Sequence, residues 1–280
     1  MSKKLALVAV GGIAVAAICF GAAVGVGGRS VLNNIGMIGD NWDFGDNWDN
    51  PRCNVALAGH DGTREIDWNG SDEVQIEIPA TVHYKRGEGD KLVVQGDAAL
   101  LPLVEIGNKG RIRFNCRVRH RGDLTVTLPG RDFRAYSVKG SGDVTLEGID
   151  QDQLELNVAG HSNVTASGKA EKLEFNLAGA GDAHLGGLEV SRAEINVAGH
   201  GDTEINARDR LEVNIAGHGN VKLVTEPHHI ETSIFGAGEI IHPNGDVNST
   251  HGAGHAEHDN DDVPAPPKPP EPPAPPAKKI

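Results

Sequence analysis

Large aromatic side chains are scarce: six Phe, three Trp and two Tyr in 280 residues. That scarcity excludes a bulky ring-filled core and favours thin repeated layers of small and branched aliphatics. Positive charge is also short. Lys and Arg number 26 against 39 Asp and Glu, a formal net charge of −13, which argues against a general nucleic-acid binder. Helical periodicity is absent between the two ends of the chain. No nucleophile elbow, Cys–His pair, phosphate loop or zinc-ligand spacing occurs, so no catalytic residue is assigned and no cofactor is expected. Glycine, in contrast, is abundant at 37 residues. It follows no Gly-X-Y period, which excludes collagen.

The two ends differ from the middle. Lys3 and Lys4 precede an uncharged apolar run, residues 5–26, which has the form of a secretory targeting segment and is long enough to span a bilayer. Cleaved after Ala23 it is a signal peptide; left in place it is an N-terminal anchor helix with Lys3 and Lys4 in the cytoplasm. Residues 1–28 are assigned to this segment, and both outcomes export the rest to the periplasm or cell envelope. Residues 29–52 form an acidic linker carrying the tandem Gly39-Asp40-Asn41-Trp42-Asp43-Phe44 and Gly45-Asp46-Asn47-Trp48-Asp49-Asn50, read as solvated chain with an aromatic-acidic recognition segment as the sharper alternative. Residues 248–280 are read as a disordered tail. Its first part holds His251, His255 and His258 among aspartates, weak metal candidates at most. Residues 263–277 are mostly proline, a polyproline II spacer of roughly 40 Å.

Between these ends the glycines fall into register. Gly140, Gly160, Gly179, Gly199, Gly217 and Gly236 each open a Gly-x-Gly turn, except at Gly160 where Ser162 takes the second place, and they are 20, 19, 20, 18 and 19 residues apart. A sustained period near 19 marks a stacked repeat. Before each turn the chain alternates: Leu154, Leu156 and Val158 point one way, Gln153, Glu155 and Asn157 the other. That is the period of a strand. A second short strand follows the turn, as in Val164 and Ala166. The economical solution is an all-β parallel β-helix with rungs of about 19 residues, over residues 53–247.

Read down the stack, Leu156, Phe175, Ile195, Val213 and Thr232 form one inner column, and Val158, Leu177, Val197, Ile215 and Ile234 another. Outside, Glu155, Glu174, Glu194, Glu212 and Glu231 stack beside Gln153, Lys172, Arg192, Arg210 and His229, so the acidic ladder is neutralised locally. Asn157, Asn176, Asn196 and Asn214 are placed to form an amide ladder. His161, His200 and His218 share a turn position that Ala180 and Ala237 interrupt; tolerated corner residues are set against a metal or proton-sensing column. The aspartate after the second glycine comes once per turn, unlike the calcium-binding nonapeptide roll.

Two features of the first half stand out. Lys109, Arg111, Arg113, Arg117, Arg119 and Arg121 alternate with Ile112, Phe114, Cys116 and Val118. This reads as a half-buried strand offering six cations to an anionic polymer, or pairing them with Glu73, Glu77, Glu105 and Asp123. Cys19 lies in the targeting segment. Cys53 and Cys116 are thus the only pair in the exported part, where a disulfide between them would persist.

The order of segments resembles a known family. It runs from residues 73–78 through 91–97, 103–106, 110–114 and 124–129, followed by serial Gly-x-Gly-[Asp/Asn] rungs. Over residues 53–245 this is similar to the "putative auto-transporter adhesin" head family, the GIN domain. The chain carries Ala-Gly-His-Gly where the family more often has Ser-Gly-Ser-Gly. The resemblance implies a right-handed β-helix, export to the bacterial envelope and no established enzymatic activity. The resulting expectation is a non-enzymatic structural or adhesive module for a surface glycan, a lipid headgroup, an anionic polymer or an envelope protein. It would not bind nucleic acid and would meet the membrane through residues 5–26 if these are uncleaved. A polysaccharide-active β-helix enzyme and a periplasmic metal- or pH-sensing domain are the alternatives.

Overall fold

The structure, a computed structural model, describes residues 52–68, 70–118, 123–251 and 254–259. The targeting segment, nearly all of the acidic linker, Arg119, Arg121 and the proline run lie outside the described residues. Short strands come first: β1 (Arg52–Cys53), β2 (Asp61–Asp67), β3 (Glu73–Ile76), β4 (Thr81–Lys85), β5 (Lys91–Asp97), β6 (Val104–Ile106), β7 (Arg111–Phe114), β8 (Arg117–Val118) and β9 (Leu124–Thr127). Then come β10 (Ala135–Ser141), β11 (Val144–His161), β12 (Val164–Ala180), β13 (Ala183–His200), β14 (Thr203–His218), β15 (Val221–Leu223), β16 (His229–Ile241), β17 (Val247–His251) and β18 (Gly254–Asp259).

The chain is a parallel β-solenoid of about five turns. From β10 through β11, β12, β13 and β14 to β16, neighbours pair parallel with glycine against glycine: Gly140, Gly160, Gly179, Gly199, Gly217 and Gly236 form one column. Each first glycine has φ between 123° and 140°, a region L side chains rarely enter. The neighbouring rung adds a second constraint, because a Cβ on Gly199 would overlap the Gly179 carbonyl.

The alternation expected before each turn is observed. Leu156, Phe175, Ile195 and Val213 are buried, as are Val158, Leu177, Val197 and Ile215. The scarce aromatics are concentrated at the N-terminal end of this core. Phe133 makes edge-to-face contacts with Trp68, Tyr84 and Tyr136 at centroid distances of 5.3, 6.0 and 5.8 Å. Burial pushes the Tyr136 phenol far above its ordinary range.

Two expectations are corrected. The run from Lys109 to Arg121 is not one strand. Lys109 adopts a left-handed φ of 58° in a 3-10 turn, Asn108–Gly110, and β7 and β8 are separated at Asn115 and Cys116. Cys116 bonds to Cys53 across a Cα–Cα distance of 5.7 Å, drawing β8 onto β1 instead of continuing β7. The second correction concerns residues 248–251 and 254–259 alone, which the composition places in a disordered tail. β17 and β18 pair antiparallel with β16. The last rung would otherwise leave a row of unpaired backbone groups, and these segments satisfy it. Among the described residues, no helix is long and apolar enough to cross a membrane.

Candidate functional site

The long outer face of β10 to β16 carries the polar columns. Each asparagine amide donates to the carbonyl of the rung before it: Asn176 to Asn157 at 2.8 Å, Asn196 to Asn176 at 2.9 Å and Asn214 to Asn196 at 3.0 Å. The same Nδ2 atoms also donate to Glu174, Glu194 and Glu212, at 3.2–3.3 Å. Both amide hydrogens of the inner members are therefore used, which is how Asn176 and Asn196 tolerate 2% exposure. The row continues beyond the expected repeats. Ser137 lies between Asn157 and Gln75 in register, Gln75 lies beside Arg111, and Ser233 follows Asn214.

The glutamates stack beside this row, in register from Glu155 through Glu174, Glu194 and Glu212 to Glu231. The Glu174 carboxyl is raised above its ordinary value, first by burial and then by repulsion from Glu194 and Glu155; the Asn176 hydrogen bond and Lys172 oppose the rise. Cations answer the acids locally. Within the ladder, Arg210 meets Glu231 at 2.8 Å and Arg134 lies 3.9 Å from Glu155, while Arg192 meets Glu171, outside the ladder, at 3.5 Å. Such half-exposed pairs contribute at most about 1 kcal/mol each.

At the corner, the His200 and His218 rings stack with centroids 5.1 Å apart and planes 5° from parallel. His161 is separated from them in the column by Ala180. The aspartates of the turn cap backbone groups of the next rung: Asp182 Oδ1 accepts from Asp202 N at 3.0 Å, and Asp202 Oδ1 from Asn220 N at 2.9 Å. An open hollow of about 400 Å³ lies beside Asp202, His218, Asn220 and Glu239. Among the described residues, no group of three or more His, Cys, Asp or Glu side chains is arranged to hold a metal ion. His251 is register partner of Ala237, His255 of Ser233 and His258 of Ile230, so these three are distributed over two strands.

Of the six cations, Lys109 is exposed on its turn. Arg111 donates to Gln75 Oε1 at 3.3 Å and lies 3.6 Å from Glu77; Arg113 meets Glu105 at 2.8 Å. Two residues escaped the sequence reading. Asp97 accepts from the backbone N–H groups of Ala58, Gly59 and Ala99 at 2.9–3.0 Å, and these bonds hold its carboxyl below the ordinary range. His242 is buried with Nδ1 at 3.0 Å from both Glu226 oxygens. Neither residue lies in a periodic position, so no repeat marks them.

Residues 114–227 match the family described as "Putative auto-transporter adhesin, head GIN domain". Among solved structures, a "putative adhesin" from Bacteroides fragilis NCTC 9343 is 20% identical and superposes with a TM-score of 0.51, covering 67% of this chain and 99% of that one. A "putative lipid binding protein" from Parabacteroides distasonis ATCC 8503 is 17% identical, with a TM-score of 0.39 over 67% of this chain and 98% of that one. A "putative adhesin" from Parabacteroides merdae ATCC 43184 is 18% identical, with a TM-score of 0.39 over 68% and 96%. No curated protein matches. The family read from the order of strands and turns is thus shown over residues 114–227, and the Bacteroides fragilis structure shares its fold.

Proposed function

With residues 114–227 matching the adhesin head family, we propose that this chain is an exported, non-enzymatic adhesive module of the cell envelope. Its partner is an extended polar polymer of the surface, such as a glycan, laid along the ladders of β11 to β16. The observation that supports this reading is the repetition on one face. Over the buried amide row, exposed cation and half-buried carboxylate recur together as Lys172 and Glu174, Arg192 and Glu194, and Arg210 and Glu212, at the rung spacing of about 4.8 Å. A polymer with recurring hydroxyl groups meets equivalent hydrogen-bonding partners rung after rung, and many weak contacts add through multivalency. Catalysis, by comparison, needs one site unlike its neighbours.

The test is retention of the full chain on a panel of immobilised bacterial surface polysaccharides, beside the triple variant Lys172→Ala, Arg192→Ala, Arg210→Ala. Retention of the natural chain and its loss in the variant is the expected result. Equal retention of both would move the contact off this face. New reducing ends released from any polysaccharide would replace adhesion with the enzymatic alternative. Absence of retention together with binding to phospholipid vesicles would replace the glycan with a lipid headgroup.

A further inference from the structure

The corner column of the rungs runs His161, Ala180, His200, His218, Ala237 in register. Where two histidines are adjacent their rings stack, with centroids 5.1 Å apart and planes 5° from parallel. That separation is close to the rung spacing of about 4.8 Å, so the stack runs along the axis of the solenoid. One face of the His218 ring is therefore covered by His200, and the other looks towards the position of residue 237. There the repeat changes. β13 and β14 end in Ala-Gly-His, whereas β16 carries Phe235-Gly236-Ala237, so a methyl group stands where the column would place a third ring. The hollow of about 400 Å³ lies at this point, bounded by His218, Ala237, Asp202, Asn220 and Glu239. Beyond it runs β17, with Thr250 and Ser249 as the register partners of Gly238 and Glu239.

The polar groups around the hollow are not used up by the fold. At the same turn position three rungs earlier, Asn163 donates to Asp143 Oδ1 and accepts from Asp182 N, both at 3.1 Å. Asp202 Oδ1 accepts from Asn220 N at 2.9 Å. Its Oδ2, the Asn220 amide and the Glu239 carboxylate make no hydrogen bond or ion pair with a described residue. A free imidazole face beside two carboxylates and an amide suits a ring rich in hydroxyl groups. The C–H face of such a ring packs on the imidazole by dispersion. Its hydroxyls donate to the carboxylates in charge-assisted bonds, and the amide both donates and accepts. A few polar groups placed around an apolar contact are what orients a small ligand. The carboxylates would repel an acidic sugar or a phosphate. A metal ion fits less well: parallel rings in different planes cannot direct their in-plane nitrogens at one ion, and no group of three or more ligating side chains occurs among the described residues.

We infer that the hollow beside His218 holds one uncharged pyranose ring, stacked on the imidazole in the place that Ala237 leaves open. Asp202 and Glu239 accept its hydroxyl groups, and Asn220 orients it. This site rests on the reading of the chain as a glycan-binding module and adds to it a point of recognition. The repeated face holds a polymer through many like contacts, whereas the corner takes one defined residue, a side branch or a chain end.

The test is NMR of the full chain in a nonionic detergent with ¹³C-labelled histidine rings, the corner signals being assigned with His161→Ala, His200→Ala and His218→Ala. The probes are the methyl pyranosides of glucose, galactose, mannose and N-acetylglucosamine. Each is titrated to roughly a hundred millimolar, because a single ring in an open site binds in the millimolar range. The expected result is a saturable shift of the His218 signal with at least one probe while His161 stays unmoved. Ala237→His puts a ring where the sugar sits and should abolish that shift, with His161 at its native position reporting an intact solenoid. The double variant Asn220→Ala, Glu239→Gln changes two partly exposed side chains and should weaken the titration several-fold, which keeps the test decisive if Ala237→His does not fold. The inference is overturned if no probe moves His218, if His161 moves equally, or if the shift survives these substitutions in the folded chain. A shift produced by tetramethylammonium or by zinc, and by none of the sugars, overturns it in favour of an organic cation or a metal ion. The two readings fail separately. Retention on a polysaccharide with no sugar-induced shift at His218 refutes this site and leaves the long face standing. A shift at His218 without loss of retention in the Lys172→Ala, Arg192→Ala, Arg210→Ala variant supports this site and refutes the long face.

Discussion

Gly199 and Gly89 both hold positive φ, at 140° and 70°, but their surroundings differ. Nothing lies within 4 Å of a Cβ built on Gly89, whereas one on Gly199 runs into the Gly179 backbone. Gly89→Ala therefore carries only the left-handed strain, about 1–2 kcal/mol. Gly199→Ala adds an overlap that side-chain movement cannot relieve, and its expected cost exceeds about 3 kcal/mol. Urea unfolding followed by circular dichroism checks the pair; equal losses would mean that the rung below imposes nothing. Glu174 is expected to act through pH. Its folded-state value lies above the ordinary 4.5, chiefly through burial, so the folded chain binds more protons than the unfolded one just above that value. Wild-type stability then falls as pH rises through the window between the two values. Glu174→Gln keeps the acceptor for Asn176 and removes the charge. We expect its melting temperature to exceed wild type at pH 7, with the advantage shrinking as pH falls towards 4. A constant difference across that range would contradict the assigned cause.

At the scale of elements, strand alternation and turn spacing made the rungs legible. From β10 to β16 the inner and outer columns occupy the places that period-two reading assigns, because every rung repeats one pattern and errors of register would turn Leu156 or Phe175 outward. The candidate face was legible for the same reason: Glu174 and Asn176 recur at fixed offsets from Gly179. Legibility fails where local pattern is overruled by distant contacts. Arg111 to Val118 alternates well enough for one strand, yet the left-handed Lys109 and the Cys53–Cys116 bond divide it. The residues after 247 have the composition of a solvated tail, and no short-range signal shows that β16 offers an open edge for β17 and β18. Gln75 joins the amide row through the pairing of β3 with β10, which no spacing within the repeat could reveal.

The whole molecule follows from stacking. A parallel stack has two open ends, and each end here is blunted differently. β2 has seven residues, and its Arg64 turns a guanidinium onto the carbonyls of Leu101 and Val104 at 2.7 Å, a charge that discourages edge-to-edge pairing. The other end is covered by antiparallel β17 and β18. With the ends closed, each interior rung contacts mainly its two neighbours, and stability approximates a sum over rungs and interfaces. Deleting residues 183–202 joins Asp182 directly to Thr203, the register partner of Ala183. Gly181 then faces Gly219 in place of Gly201, while Glu174 and Asn176 meet Glu212 and Asn214. Every column stays in phase because the deleted segment is one full turn and both ends remain. We expect the shortened chain to fold cooperatively with an unchanged strand spectrum by circular dichroism and a lower unfolding free energy, since one interface is gone. Deleting residues 183–192 removes only half a turn. It places Asp182 against Ala193 and puts inner residues out of column, so this chain should not fold. A half-turn deletion as stable as the full-turn deletion would show that the stack does not depend on register.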